Sequence, residues 1–316
     1  VQAHLPSAWR SGKSAGSLET DGTRLETPSG KGADDENFPV GSFLIRPGLR
    51  RHVHVFYGFA RAADDIADNP KLDPRVKVES LSRMAEIIDG MVPSGAAQAE
   101  SPNAARMRES LKVTGVTPRH CLDLLKAFIQ DSTKQRYADW DELLAYCYLS
   151  AAPVGRHVLD LHGENTGCRA ASDALCNALQ IVNHLQDCGK DYRELDRVYI
   201  PENDMIAEGA SVEELRGNRL SPAMRRTLDR VILKLDELIE ACRDLPRQVD
   251  DTRIALECAV IRALCVKLTR RLKTEDPLAE RIVLSRPAVA RLTLGALAGG
   301  LIGRIGRRAE RRPAAA

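Results

Sequence analysis

The sequence predicts an all-α protein built as a single helical bundle. Apolar residues recur at helical spacing along most of the body of the chain. Sustained alternation of β-branched residues, the mark of a half-buried strand, is missing. At 316 residues, 43% of them hydrophobic, the chain has enough apolar side chain for one large core.

Residues 1–34 are polar and rich in Gly and Ser, with Leu5 and Trp9 the large apolar residues near the start. That composition predicts a flexible leader or a loosely docked arm. The body, expected over 35–285, opens with Pro39 and Pro47, which break helix. A helix then ends in the DDIAD run at 64–68 and is stopped by Asn69 and Pro70. On it Val53, Phe56, Ala60, Ala63 and Ala67 form an apolar stripe. Beside them Tyr57, Arg61, Asp64 and Asp68, spaced four, three and four, form a polar one. Residues 74–91 read as an amphipathic helix carrying Val78, Leu81, Met84, Ile87 and Ile88; 92–103, with Pro93, Gly95, Ser101 and Pro102, read as a loop.

Residues 104–114 and 118–131 are two further expected helices. In 139–163 Asp139 is a candidate N-cap with Glu142 three residues on. Tyr146, Ala151, Val154, Gly155 and Val158 follow, and Pro153 with Gly155 should bend the helix. Small side chains there leave room for a neighbouring helix or for a long apolar ligand. Residues 170–193 repeat the polar stripe as Gln180, Asn183, Asp187 and Asp191, spaced three, four and four, among core-facing Leu179, Val182 and Leu185. Arg197, Tyr199 and Pro201 lie in a loop placed to return over a cavity mouth. Residues 211–216, 221–245 and 250–273 complete the expected helices. The tail, 286–316, carries Gly295, Gly299 and Gly303 at a close-packing spacing, ringed by arginines from Arg286 to Arg312.

The two acidic stripes carry the chemistry. Carboxylates one helical turn apart repel, and a hard divalent cation reverses that sign. Two such helices facing each other would put carboxylates on both walls of a cavity. The alternative is two ordinary amphipathic helices with solvated acids. A net charge of +2 and only 4% aromatic residues give no footprint for nucleic acid. The eight cysteines show no metal-ligand spacing and read as small core residues of a reducing compartment. No secretory signal is expected from the polar N-terminus, and no stretch has the length of a spanning helix.

Four stretches, in order, resemble the squalene/phytoene synthase family. They are Y-x-x-x-R-x-x-D-D-x-x-D at 57–68, Y-C-x-x-x-A-x-x-V-G at 146–155, Q-x-x-N-x-x-x-D-x-x-x-D at 180–191 and R-x-Y-x-P at 197–201. The resemblance implies an isoprenoid-synthase-type bundle with a central cavity. ENFPV at 36–40, FARAADDIAD and Gln186 are most similar to the bacterial hydroxysqualene synthase branch. That branch implies presqualene diphosphate as substrate, with hydroxysqualene and diphosphate as products. The neighbouring steps would be a presqualene diphosphate synthase and a squalene-forming reductase of hopanoid synthesis.

By the same resemblance Asp64, Asp68, Asp187 and Asp191 hold Mg²⁺, and Arg61 and Arg197 bind phosphate oxygens. Tyr57 and Tyr199 orient the diphosphate, and Gln180 and Asn183 complete the polar end. Tyr146, Ala151, Val154 and Gly155 line the prenyl chains. Asn37, standing where relatives carry serine, is the candidate to position the incoming water. A presqualene diphosphate or phytoene synthase shares this pocket and is the nearest alternative; a non-catalytic scaffold of the same fold is the other. A cytoplasmic protein is expected, with the basic tail resting on the inner face of the membrane.

Overall fold

The computed structural model describes residues 24–27 and 44–310, with side chains described as far as 303. The chain is about 74% helical, and no strand occurs among the described residues.

Helix α1 (Arg50–Ala67) buries Val53, Phe56, Ala63 and Ala67 of the expected stripe, and Phe59 and Ile66 beside them; Ala60 is half-buried. Helix α2 (Pro74–Ile88) starts where the Asp73 carboxylate accepts from the Arg75 amide at 2.8 Å, with Pro74 in the first turn. Residues 94–100, expected as loop, form the short helix α3 (Ser94–Glu100). Its alanines favour helix, and Ala97 is fully buried. Helix α4 (Pro102–Thr114) repeats the cap-then-proline start with Ser101 and stops at Gly115, whose φ of 71° suits glycine. Helix α5 (Arg119–Asp131) follows and packs on α1 and α2.

The 139–163 stretch is two helices, α6 (Trp140–Ser150) and α7 (Ala152–His162), separated at Ala151. The separation goes further than the expected bend. Pro153 sits in the first turn of α7, where its missing amide leaves no bond unmade. Asp139 caps α6, accepting from the Glu142 amide at 2.9 Å. Glu142 reaches back past the cap to the Ala138 amide at 2.6 Å.

Helix α8 (Arg169–Leu195), 27 residues long, runs through the middle of the bundle and touches α6, α7, α10 and α12. Helices α9 (Glu202–Glu208), α10 (Pro222–Ala241), α11 (Leu245–Gln248) and α12 (Thr252–Leu272) complete the body; 212–216 form a 3-10 turn. Helix α13 (Arg286–Glu310) lies along α12. The close approach comes at Gly300, where a Cβ would stand 2.7 Å from Leu256 Cδ2. A Cβ at Gly295, Gly299 or Gly303 would meet nothing within 4 Å among the described residues, so their spacing is not what seats the helix. Residues 24–27 are clasped to the body. The Leu25 amide donates to the Glu100 carbonyl at 2.9 Å, and buried Glu26 accepts from Ser101 Oγ and the Asn103 amide, both at 2.7 Å.

Candidate active site

Helices α1 and α8 present their polar stripes to one cavity of about 330 Å³. Asp64 and Asp68 stand on one wall with Tyr57 and Arg61; Asp187, Asp191 and Gln180 stand on the other. Ala60, Leu124, Phe128 and Val154 form an apolar flank. Tyr146, Arg197 and Tyr199 also line the space. Three residues expected here lie off its surface. Ala151 is the break between α6 and α7. Gly155 packs α7 on α8, where a Cβ would meet Cys176 Sγ at 2.6 Å and Ser172 Oγ at 2.7 Å. Asn183 is half-buried on α8 away from the cavity lining. Asn37 lies outside the described residues. Lys190 faces solvent, and Gln186 is buried, its amide donating to the Ile282 carbonyl.

The carboxylates are held in mutual strain. Burial, then the neighbouring Asp68, pushes Asp64 up to about 7, against the pull of Arg61. Arg61 Nη1 lies 2.9 Å from Asp64 Oδ2, and its Nε lies 3.2 Å from Asp65 Oδ1. Burial, then Asp187, then Asp68 across the cavity, pushes Asp191 up to about 7. The two walls therefore repel each other, and a cation between them would relieve it.

Beneath the stripes lies a node that the spacing did not reveal. Asp131, last residue of α5, accepts from the Tyr146 hydroxyl at 2.7 Å and the Tyr199 hydroxyl at 3.0 Å. Burial pushes its carboxyl up to about 6, opposed chiefly by Arg197 and those hydroxyls. Arg197 in turn donates to the Asp131 carbonyl at 3.1 Å, the Ala67 carbonyl at 3.1 Å and Asp68 Oδ1 at 2.5 Å. One guanidinium thus closes the C-terminal ends of α1 and α5, where bare carbonyls and two aspartates gather negative charge. The 197–201 segment gets there because Asp196 ends α8 in the left-handed region, φ 52°. The chain then turns back, and the Val198 amide bonds the Gln135 carbonyl at 2.9 Å. Arg197 and Tyr199 therefore form the floor of the cavity and not a flap over its mouth. The available sequence signal was an acid ending a helix, against the dipole.

The family model for squalene/phytoene synthase matches residues 32–289. The chain belongs to the squalene/phytoene synthase family. A hydroxysqualene synthase of Rhodopseudomonas palustris is 45% identical over 280 residues, covering 88% of this chain and 94% of that protein. One of Zymomonas mobilis is 42% identical, covering 86% and 91%. The crystal structure of squalene synthase HpnC from Alicyclobacillus acidocaldarius superposes with a TM-score of 0.65 at 28% identity, covering 74% of this chain and 86% of that one.

Squalene/phytoene synthases work with a divalent metal ion. Among the described residues no three His, Cys, Asp or Glu side chains close into a cage for one. The residues fit a shared site instead. Hard oxygen donors that repel across a gap suit a small dication whose remaining positions are filled by substrate phosphates and water.

Proposed function

We propose that this member of the family is a hydroxysqualene synthase. It takes presqualene diphosphate, releases diphosphate and gives the cation to water, forming hydroxysqualene. The observation that carries this reading is the single cavity with aspartates on two facing helices and an apolar flank, in a chain 42–45% identical to relatives of that name.

Asp64, Asp68, Asp187 and Asp191 would hold Mg²⁺, which supplies Lewis-acid neutralisation of the departing diphosphate. Arg61 bridges Asp64 and Asp65 and offers its charge to phosphate oxygens. The Arg197 fork is occupied by acceptors of the protein itself, which makes it the support of Asp68. Ala60, Leu124, Phe128 and Val154 keep the prenyl end dry.

The reaction class before this one supplies presqualene diphosphate, and a reductase consumes the product. Among the described residues no helix is long and apolar enough to cross a membrane. The same reading puts contact with the inner membrane face on α13, supported by exposed Leu294, Leu301 and Ile302 and exposed Arg286 and Arg291 on that helix. Deleting 291–316 should reduce sedimentation with anionic liposomes; undiminished sedimentation moves the contact elsewhere.

The deciding experiment offers the protein, with Mg²⁺, presqualene diphosphate and farnesyl diphosphate separately. Hydroxysqualene from the first alone is the expected result. Presqualene diphosphate formed from the second would make it a coupling enzyme of the same family. Inertness of folded protein towards both would leave either a different prenyl substrate or the scaffold.

A further inference from the structure

We infer that His184 accepts the proton of the attacking water and that Ser150 is the second anchor of that water. The inference rests on the hydroxysqualene synthase reading. Both residues line the cavity, and both bury a polar atom with no partner among the described residues: His184 Nε2 and Ser150 Oγ. Buried polar atoms are rarely left unmatched, and a water with two to four polar partners is the usual remedy. The remaining unmatched histidines, His157 and His162, do not line this cavity.

The ring is set for the task. His184 stacks on Tyr199, centroids 3.6 Å apart and planes 15° from parallel. Tyr199 is tied to Asp131 at 3.0 Å. Tyr146, one turn before Ser150 on α6, is tied to the same carboxylate at 2.7 Å. The two unmatched atoms therefore hang from one node, on two different helices. Burial, with the charge of Arg197 second, holds the imidazole down to about 3. It is thus neutral and keeps a lone pair, on the side of the cavity where Asp68 is engaged by Arg197 and Asp131 by Tyr146 and Tyr199.

The step balances. A water oxygen lone pair forms the C–O bond to the carbocation left by diphosphate. One O–H bond breaks, its electrons stay on oxygen, and the proton passes to the imidazole. A protonated alcohol is a far stronger acid than an imidazolium, so the transfer runs downhill. The ring then returns its proton to the released diphosphate.

The test reads the share of hydroxysqualene among all lipid products from presqualene diphosphate, with Mg²⁺, in ¹⁸O-water. His184→Phe keeps a flat ring on Tyr199 and removes the nitrogen. Its hydroxylated share should fall by about 10-fold or more, with unhydroxylated hydrocarbon replacing it. His184→Gln, which restores a polar group, should recover part of the share. Ser150→Ala should lower it by about 3-fold. A merely structural histidine would lower all products together, and a parent-like share in His184→Phe overturns the inference. If His184→Phe does not fold by circular dichroism, a parent-like share in Ser150→Ala overturns it instead. Absence of hydroxysqualene from the parent itself would overturn the hydroxysqualene synthase reading, a distinguishable result.

Discussion

At Asp131 two phenol hydroxyls converge on one buried carboxylate. Asp131→Ala should cost about 1–3 kcal/mol by leaving them unmatched, read as a lower urea midpoint; an unmoved midpoint contradicts the node. His157 gives a pH dependence of known sign. Burial holds it down to about 3, it stacks on Phe56 at 4.1 Å, and neither ring nitrogen has a partner among the described residues. Its folded pKa lies below the unfolded value of about 6.5. The unfolded chain therefore binds the proton first, and stability is lost as pH falls from about 6.5 towards about 3. His157→Phe should lose less melting temperature between pH 7 and pH 5 than the parent; equal losses would assign the acid sensitivity to other groups. The acidic stripes were legible because helical spacing fixes which side chains share a face. Asp131, Ser150 and His184 were not, because α5, α6 and α8 meet only in three dimensions.

At the scale of elements, Arg197 joins two helix ends that share no sequence neighbourhood. Arg197→Lys offers a single ammonium where three acceptors need a planar fork. We expect a loss of about 3–5 kcal/mol, close to that of Arg197→Ala, because either change leaves Asp68 and two carbonyls poorly matched. Chemical denaturation measures it, and full stability in the lysine variant would mean that one ammonium satisfies the site and the planar fork is not needed. Helix starts followed local rules and were readable, as at Asp139. The break at Ala151 was read only as a bend, because tertiary packing decides whether Pro153 kinks one helix or begins another. The α13 glycines misled for a related reason. Their spacing allows close approach, yet the contact with α12 fell on Gly300.

For the whole molecule, two walls that repel each other while empty should clamp together around a ligand. Mg²⁺ with inorganic diphosphate should raise the melting temperature, by an amount equivalent to about 2.7 kcal/mol at a hundred times the dissociation constant. Neither component alone should match it, and an identical shift from Mg²⁺ alone would place the ion elsewhere. The all-α class was evident from periodicity, since a long chain without alternating strands has few other ways to bury its apolar residues. The cavity floor was not, because it depends on the left-handed turn at Asp196 folding the chain back on itself. The clasp at Glu26 bears on how this protein can be shortened. The family match begins only at residue 32. A gene trimmed to that border discards the carboxylate that Ser101 and Asn103 donate to, and the Thr27 hydroxyl that donates to the Asp65 carbonyl at 3.3 Å. Poor yield or activity from such a fragment would report a missing fastener behind the first acidic wall, and would say nothing against the enzyme.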